Sequence, residues 1–276
     1  MWVNDHVEAT LAMEYSAELL MNWIATYIWS FTRIAAMLMV MVVVGSRTTP
    51  KRVRLFYALA VTIAVFPILP AAPMDIELFS VASAFVILQQ LLIGIAIGTI
   101  SIFVVQTFVV AGQIIAMQTS LGFASMADPM SGQSSPVVGQ FYVLLVTLLF
   151  LGVDGHLLMI ELIVRSFETL PISMKGLLAT DYQKLAGWFS VMFQAALAFS
   201  IASMVAMLLV NLSFGIMTKA APQLNIFSLG FSISMVFGLF VLWITLINVP
   251  THFENQWLRG ITTMCELLNG VCEKQP

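Results

Sequence analysis

The sequence predicts an all-α, polytopic integral membrane protein. Of its 276 residues, 60% are hydrophobic and only 9% are charged, well above the apolar share of an ordinary soluble domain. The charges cluster in short stretches that separate long apolar runs, and about 20 apolar residues cross the hydrocarbon as one helix. The length leaves room for about five to seven crossings. We expect long helices, tilted or broken where the apolar runs contain glycine and proline.

Arg33 is the single charge in the first apolar run, residues 23–45. The connection 47–54 that follows is basic, which places it in the cytoplasm and the N-terminus in the periplasm. An arginine at bilayer depth costs roughly 2.5–3.5 kcal/mol on insertion scales, so its side chain should face protein or water. We expect Arg33 at a contact with another subunit. The alternative is a side chain that reaches the membrane interface.

Prolines end the second apolar run, residues 55–74, and predict a break near Phe66. The stretch 78–127 then contains no formal charge in fifty residues, about twice what one perpendicular crossing needs. Its first part, 79–110, predicts a long helix in which Gly94 and Gly98 allow a neighbouring backbone to approach closely.

Composition changes in the second part of this uncharged stretch. Residues 111–136 are rich in glycine, glutamine, serine, methionine and proline. Such residues favour re-entrant or loop backbone, which is tolerated at membrane depth only where protein or a water-filled cavity surrounds it. We therefore expect a re-entrant, plug-like loop at this position.

Three further apolar runs predict helices. The run 137–153 leads through a short polar stretch to a helix that stops near Pro171. The runs 185–218 and 226–249 are joined by a short turn, which predicts a C-terminal helical hairpin followed by a more polar tail. A second small-residue face in this region comprises Ala198, Ala202 and Ala206.

The sequence lacks the residue patterns that are typical of enzymes and metal sites. The patterns HExxH, GxSxG and GxxxxGK[ST] are absent, and titratable residues are scarce in the apolar runs. With 11 basic and 14 acidic residues, no basic tract suggests a nucleic-acid partner. We expect no enzymatic activity, no cofactor and no bound metal.

Three stretches are chemically unusual for membrane segments. Residues 112–129 read GQIIAMQTSLGFASMADP, and DGHL at 154–157 is followed by FETLP at 167–171. The third stretch, residues 221–231, reads APQLNIFSLGF. In sequence, order and flanking helices they resemble the motifs of the FliR family of flagellar export proteins and of its injectisome counterpart SctT, over nearly the whole chain.

The chain departs from the family pattern at three positions. Ser120 and Gly122 stand where the family more often has glycine and serine, so we expect the close backbone approach to be shifted by two residues. Lys219 replaces the arginine that is usual before the APQ motif, which keeps the charge but loses bidentate hydrogen bonding.

The resemblance implies a core subunit of the bacterial flagellar type III protein export gate, in the inner membrane at the flagellar basal body. It implies assembly with FliP and FliQ, association of FlhB, and passage of unfolded flagellar proteins. It also implies a FliP-like part at 1–184 and a FliQ-like hairpin and tail at 185–276. The alternatives are the SctT subunit of a virulence injectisome and a stand-alone secondary transporter, although the inverted repeats typical of the latter are not visible.

The plug of the closed pore is expected within residues 111–136. Its apolar side chains can exclude water and repack around cargo, its glycine and proline interrupt regular backbone, and its glutamines satisfy backbone groups without adding charge. The expected plug residues are Gln113, Met117, Gln118, Gly122, Phe123, Met126, Asp128 and Pro129.

Subunit contacts are expected at small residues, at the intramembrane arginine and in the turn 221–225. Small side chains let helices approach closely, and amide side chains can bind backbone groups that a proline and the helix ends leave unpaired. The expected contact residues are Arg33, Gly94, Gly98, Ala198, Ala202, Ala206, Pro222, Gln223 and Asn225.

Overall fold

Helices form the regular structure of this protein. The computed structural model describes residues 2–46, 49–70, 76, 78–122, 137–174, 176–220 and 226–268, and within them it contains seven α-helices, one 3-10 turn and no strand. The all-α prediction is confirmed. The helices are α1 Trp2–Val40, α2 Lys51–Val65, α3 Val81–Gln118, α4 Val137–Gly152, α5 Gly155–Thr169, α6 Ala179–Ala220 and α7 Ile226–Leu267.

Four of the described helices are long and apolar enough to span a membrane: α1 from Leu20, α3, α6, and α7 from Gly230. α4 and α5 meet at a bend of 63° and together make a candidate fifth span. These spans confirm a multi-pass membrane protein. α3 alone has 38 residues, so it is about 57 Å long, whereas the hydrocarbon is about 30 Å thick. Most of the long uncharged stretch is therefore one helix.

Several helices extend beyond their predicted bounds, and α1, α3 and α7 do so by the largest margins. α1 begins at Trp2, α3 continues to Gln118, and α7 continues to Leu267. An apolar run marks where lipid can surround a helix, not where hydrogen bonding ends, and this is why the predicted bounds were too short. In α7, Pro250 removes one backbone donor, but the neighbouring Val249 is fully buried and its packing supports the helix across the proline.

The predicted break near Phe66 is confirmed. α2 ends at Val65, and a 3-10 turn at Phe66–Ile68 follows because Pro67 cannot donate a backbone hydrogen bond. The Phe66 ring packs edge-on against Trp23 with 5.0 Å between centroids, and it lies 5.5 Å from Tyr27. Two aromatic side chains of α1 thus hold the end of α2.

The described chain divides into two compact units. The first comprises Met1–Thr99, Leu157–Gln183 and Thr263–Pro276. Within it, α5 buries one face at helical spacing and exposes the opposite face, where Glu161 and Arg165 form an ion pair of 2.7 Å. The buried residues of α5 are Met159, Leu162, Ile163, Ser166 and Phe167.

The second unit comprises Ile100–His156 and Lys184–Thr262. Aromatic side chains form its core: the Phe108 ring lies 5.6 Å from Phe199, and the Phe150 ring lies 5.1 Å from Trp257. Phe199 of α6 also contacts His252 of α7, whereas Phe214 is the side chain nearest Gly230. The later residue of α6 thus meets the earlier residue of α7. The two helices are therefore antiparallel, as the hairpin prediction requires.

Candidate functional site

The C-terminal end of α3 carries the first residues of the predicted plug. α3 stays helical through Gln118, so residues 111–118 are not the irregular backbone that their composition predicted. Gly112 explains the difference. A β-carbon at this position would lie 2.7 Å from Cδ2 of Tyr142 and 3.1 Å from Cα of Gly139. The glycine therefore allows α4 to pack closely against a continuous helix.

The predicted plug residues on α3 have different surroundings. Gln113 is half-buried, and its Cγ lies beside Gly139 of α4. Met117 is 78% exposed, and Gln118 is half-buried. The structure thus places Gln113 in helix packing and leaves the thioether of Met117 open. The expected plug residues that lie outside the described residues are Phe123, Met126, Asp128 and Pro129.

A tight turn, Thr119–Gly122, follows α3 and is called the α3 turn below. Ser120 has a φ of 59°, in the left-handed region that favours glycine, whereas Gly122 lies outside that region. The amide of Gly122 donates a hydrogen bond of 2.9 Å to the carbonyl of Ala116, which closes the turn. A β-carbon on Gly122 would lie 3.3 Å from the carbonyl oxygen of Ala116. The left-handed conformation therefore falls at position 120, and the expected shift of the close backbone approach by two residues stays a prediction.

α7 packs directly on the α3 turn. Thr119 is fully buried, and a β-carbon on Gly238 would lie 2.5 Å from its Cβ and 2.8 Å from its Cγ2. One helical turn earlier in α7, the hydroxyl of Ser234 lies 3.4 Å from the hydroxyl of Ser120. Gly238 and Ser234, on one face of α7, thus lie against successive residues of the turn.

Tyr142 joins α4 to the C-terminal hairpin. Its hydroxyl lies 2.9 Å from Oγ1 of Thr245 on α7, and its ring meets Phe199 of α6 edge-on at 5.8 Å. The side chain is fully buried, so this hydrogen bond satisfies a hydroxyl that would otherwise be unpaired. The beginning of α4 is therefore tied to both helices of the hairpin.

Arg33 forms a buried polar cluster in the first unit. Its side chain is 0% exposed. Nε donates a hydrogen bond of 2.7 Å to Oε1 of Gln90 on α3, and Nη1 donates to the carbonyl and the hydroxyl of Ser166 at 2.9 and 3.0 Å. Nη2 donates to the carbonyl of Leu170 at 2.8 Å, and the guanidinium lies 4.1 Å from the centre of the Phe167 ring. Arg33 therefore joins α1, α3 and the end of α5.

The partners of Arg33 explain how a charge is held at this depth. Ser166 and Leu170 lie at the C-terminal end of α5, where helix carbonyls carry partial negative charge and need donors. The Phe167 ring adds a favourable cation–π contact. The sequence predicted that Arg33 contacts another subunit or reaches the membrane interface. Its side chain is instead buried among residues of its own chain. Its partners Gln90 and Ser166 are 57 and 133 residues away along the chain, so the sequence alone does not indicate that they meet Arg33.

Gly94 and Gly98 pack against α1 of the same chain. A β-carbon on Gly94 would overlap the carbonyl oxygen of Arg33 and lie 2.8 Å from Cβ of Ala36. One on Gly98 would lie 2.8 Å from the carbonyl oxygen of Met37. The spacing did indicate close helix packing, but the expectation that it faces another subunit is corrected, because α1 already covers this face.

Replacing Gly98 with leucine is expected to lower the free energy of unfolding by about 1–3 kcal/mol, since the larger side chain must push α1 away from α3. The measurement is titration of the purified protein from mild detergent into SDS. Gly215→Leu is the matched control, because a β-carbon on Gly215 meets nothing within 4 Å. Equal stability of the two variants would contradict tight packing at Gly98.

Other predicted contact residues lie on the open surface of the chain or outside the described residues. Ala198 and Ala202 of α6 are exposed and Ala206 is half-buried, so their contact with another subunit stays a prediction. The same holds for the residues of the turn before α7 that lie outside the described part, Pro222, Gln223 and Asn225.

Sequence reasoning missed several residues that organise these sites. Gln90 follows Gln89 in an apolar stretch of α3, and an amide side chain four residues before Gly94 was a usable signal. Tyr142, Thr245 and Gly238 carry no comparable signal, because single polar or small residues are common in apolar helices. Their importance comes from the residues that they meet in space.

The fold and the sites define a multi-pass, helical membrane protein with polar clusters inside its helix packing. In the described part of the chain, no group of three histidine, cysteine, aspartate or glutamate residues is placed to hold a metal ion. The family described as bacterial export proteins, family 1, matches residues 24–260. The chain belongs to this family.

Known relatives cover most of the chain. It is 33% identical over 249 residues to the flagellar biosynthetic protein FliR of Pectobacterium carotovorum subsp. carotovorum, covering 90% of this chain and 95% of that protein. It is 34% identical over 227 residues to the FliR protein of Escherichia coli K12, covering 82% and 86%. The FliR protein of Bacillus subtilis 168 is 26% identical over 242 residues, covering 86% and 92%.

Proposed function

We propose that this chain is a core subunit of the flagellar type III protein export gate. The observation that carries the proposal is the family match over residues 24–260, together with relatives named flagellar biosynthetic protein FliR along almost their full length. The flagellar names of these relatives favour this assignment over the SctT subunit of an injectisome. The chain would lie in the inner membrane at the flagellar basal body.

The proposed partners are FliP and FliQ, with FlhB associating from the cytoplasmic side and unfolded flagellar proteins as cargo. The exposed apolar surfaces of α6 and α7 support assembly with other membrane subunits. In the most apolar stretch of each helix, only 28% (α6) and 22% (α7) of the residues are buried within the chain. Lipid can also cover such surfaces. The proposed division into a FliP-like part, 1–184, and a FliQ-like part, 185–276, follows from the same resemblance.

The proposed role of the segment from Met117 to Pro129 is to close the idle pore. An export gate must admit an extended polypeptide and still retain ions, so its closure has to be apolar and displaceable. Met117 supports this role as an exposed, flexible apolar side chain beside the α3 turn. The chain itself carries out no covalent step in this proposal, and the driving energy comes from elsewhere in the apparatus.

Purification of the tagged chain from cells is expected to recover FliP and FliQ in stoichiometric amounts, and the chain is expected to restore export of flagellar proteins to a strain that lacks its own subunit. Quantitative mass spectrometry and assay of secreted flagellar protein are the measurements. A strain that lacks an injectisome SctT subunit provides the comparison. Substrate transport by the purified chain alone in vesicles would support a secondary transporter and contradict the proposal.

A further inference from the structure

α2 has an open surface that begins with two cations and continues as an apolar stripe. Arg52 is followed on the same face of the helix by three apolar residues at spacings of four, three and four: Phe56, Leu59 and Ile63. All of them are exposed, Phe56 by 69% and Ile63 by 56%. Lys51, also exposed, lies beside Arg52 in the first turn. These five residues are called the α2 surface below.

The packing of α2 leaves this surface uncovered. α2 packs against α1, and the residues that it buries, Ala58 and Thr62, lie on a separate face. Arg54 is half-buried and donates to the carbonyl of Thr49 from Nε at 3.2 Å and from Nη2 at 3.0 Å. Nη2 also donates to the carbonyl of Ser46. This third cation therefore holds the connection between α1 and α2 and takes no part in the α2 surface.

Lys51 and Arg52 are available to bind an anion. Among the described residues, neither side chain has a hydrogen bond or an ion pair, and the first turn of α2 contains no acidic residue. Cations at the start of a helix are disfavoured by the helix dipole, so they do not serve to stabilise α2. The basic connection to which they belong is predicted to lie in the cytoplasm, where the membrane presents anionic headgroups.

The length of the α2 surface fits one phospholipid. Residues 52–63 extend about 17 Å along the helix axis, and the hydrocarbon of one leaflet is about 15 Å thick, half of the full width. A phosphate bound at Arg52 would place an acyl chain beside the three apolar residues. A water-soluble anion would bind the cations but would leave these apolar side chains uncovered. Charge and apolar length together therefore favour a lipid.

We propose that the α2 surface binds an anionic phospholipid, whose phosphate lies between Lys51 and Arg52 and whose acyl chain follows the apolar stripe. The lipid balances two unpaired cations and covers apolar area that the chain leaves open. The lipid site goes beyond the proposed function and does not depend on it, because bound lipid is measured on the full chain whatever its other subunits are.

Native mass spectrometry of the full chain, purified in mild detergent and titrated with equal mixtures of phosphatidylglycerol and phosphatidylcholine, measures the bound lipid. Preferential retention of phosphatidylglycerol is expected. Lys51→Gln with Arg52→Gln is expected to lower the apparent affinity for phosphatidylglycerol by about tenfold or more, because both cations attract the anionic headgroup. Arg165→Gln is the matched control, since Arg165 is also exposed but already pairs with Glu161 at 2.7 Å.

The apolar half of the site is tested by Phe56→Ser with Ile63→Ser, which keeps both cations. This variant is also expected to bind phosphatidylglycerol more weakly, because the acyl chain loses its apolar contact. Inorganic phosphate is expected not to displace the lipid. Displacement by inorganic phosphate, with full binding retained in the serine variant, would indicate a site for a bare anion and would overturn the proposal.

Equal retention of the two lipids by the wild-type chain would overturn the lipid site without any variant. Unchanged affinity for phosphatidylglycerol in the Lys51→Gln, Arg52→Gln chain would do the same. If that chain keeps the lipid but loses a subunit that copurifies with wild type, the α2 surface is a protein contact and the proposal fails. Both changes replace exposed side chains and add no bulk, so unfolding in SDS is expected to match wild type.

Discussion

Replacing Arg33 with methionine is expected to lower the free energy of unfolding by about 2–4 kcal/mol. Methionine can fill much of the space but donates no hydrogen bond, so Oε1 of Gln90 and the carbonyl of Leu170 lose their donor. A buried acceptor without a partner costs about 1–3 kcal/mol. The carbonyl of Ser166 is less affected, because the Leu170 amide also donates to it at 2.9 Å.

Two further variants separate the polar contacts from packing. Arg33→Lys keeps the charge but cannot donate from three separated nitrogens, so we expect a loss of stability between those of wild type and Arg33→Met. Gln90→Leu in the Arg33→Met background removes one unpaired acceptor and is expected to recover about 1 kcal/mol. Arg165→Met, at an exposed arginine, is the control. Unfolding in SDS provides the measurement, and an Arg33→Met protein as stable as this control would contradict the role of the cluster.

Deleting Gly122–Met126 is expected to raise the ion permeability of the idle, assembled complex by about tenfold or more, because the deletion removes apolar bulk that excludes water from the proposed closure. The measurement is ion flux across vesicles that contain the complex at equal amounts. A length-matched variant, Phe123→Ser with Met126→Ser, is expected to leak as well, since it removes the apolar side chains and keeps the chain length.

The leak has to be compared among complexes of equal composition. A segment that only packs against its neighbours would lose assembly and would give no assembled, leaky state. Complexes that lack Gly122–Met126, contain all subunits and remain sealed would exclude the proposed closure. Met117→Ser is a useful third variant, because Met117 is exposed at the end of α3 and its loss should not unfold the helix.

Much of the helical framework could be predicted residue by residue. Pro67 and the apolar run before it predicted the end of α2, and the stop predicted near Pro171 agrees with the observed end of α5 at Thr169. The bounds failed where a helix continues into less apolar residues, as α3 does from residue 111 to Gln118. There the composition of residues 111–136 was interpreted as favouring loop backbone, whereas Gly112 makes room for Tyr142 in a continuous helix.

The candidate sites were predicted only in part. Arg33 was identified as a charge that needs protein or water, which is correct, but its partners Gln90 and Ser166 were not identified. Gly98 was identified as a close-packing residue, but the helix that it meets was not. In each case the type of residue indicated what the position requires, and the partner depended on contacts between segments that are distant in sequence.

The sequence by itself determined that this protein is helical, that it spans a membrane several times and to which family it is similar. These properties follow from apolar runs and local motifs, because the transfer of a side chain into lipid depends mainly on that residue and its near neighbours. Only the tertiary structure decided that Arg33 binds the end of α5, that α1 covers Gly98 and that Gly238 lies against the α3 turn. Those choices depend on which helices come together, and the geometry of a contact is a property of the pair.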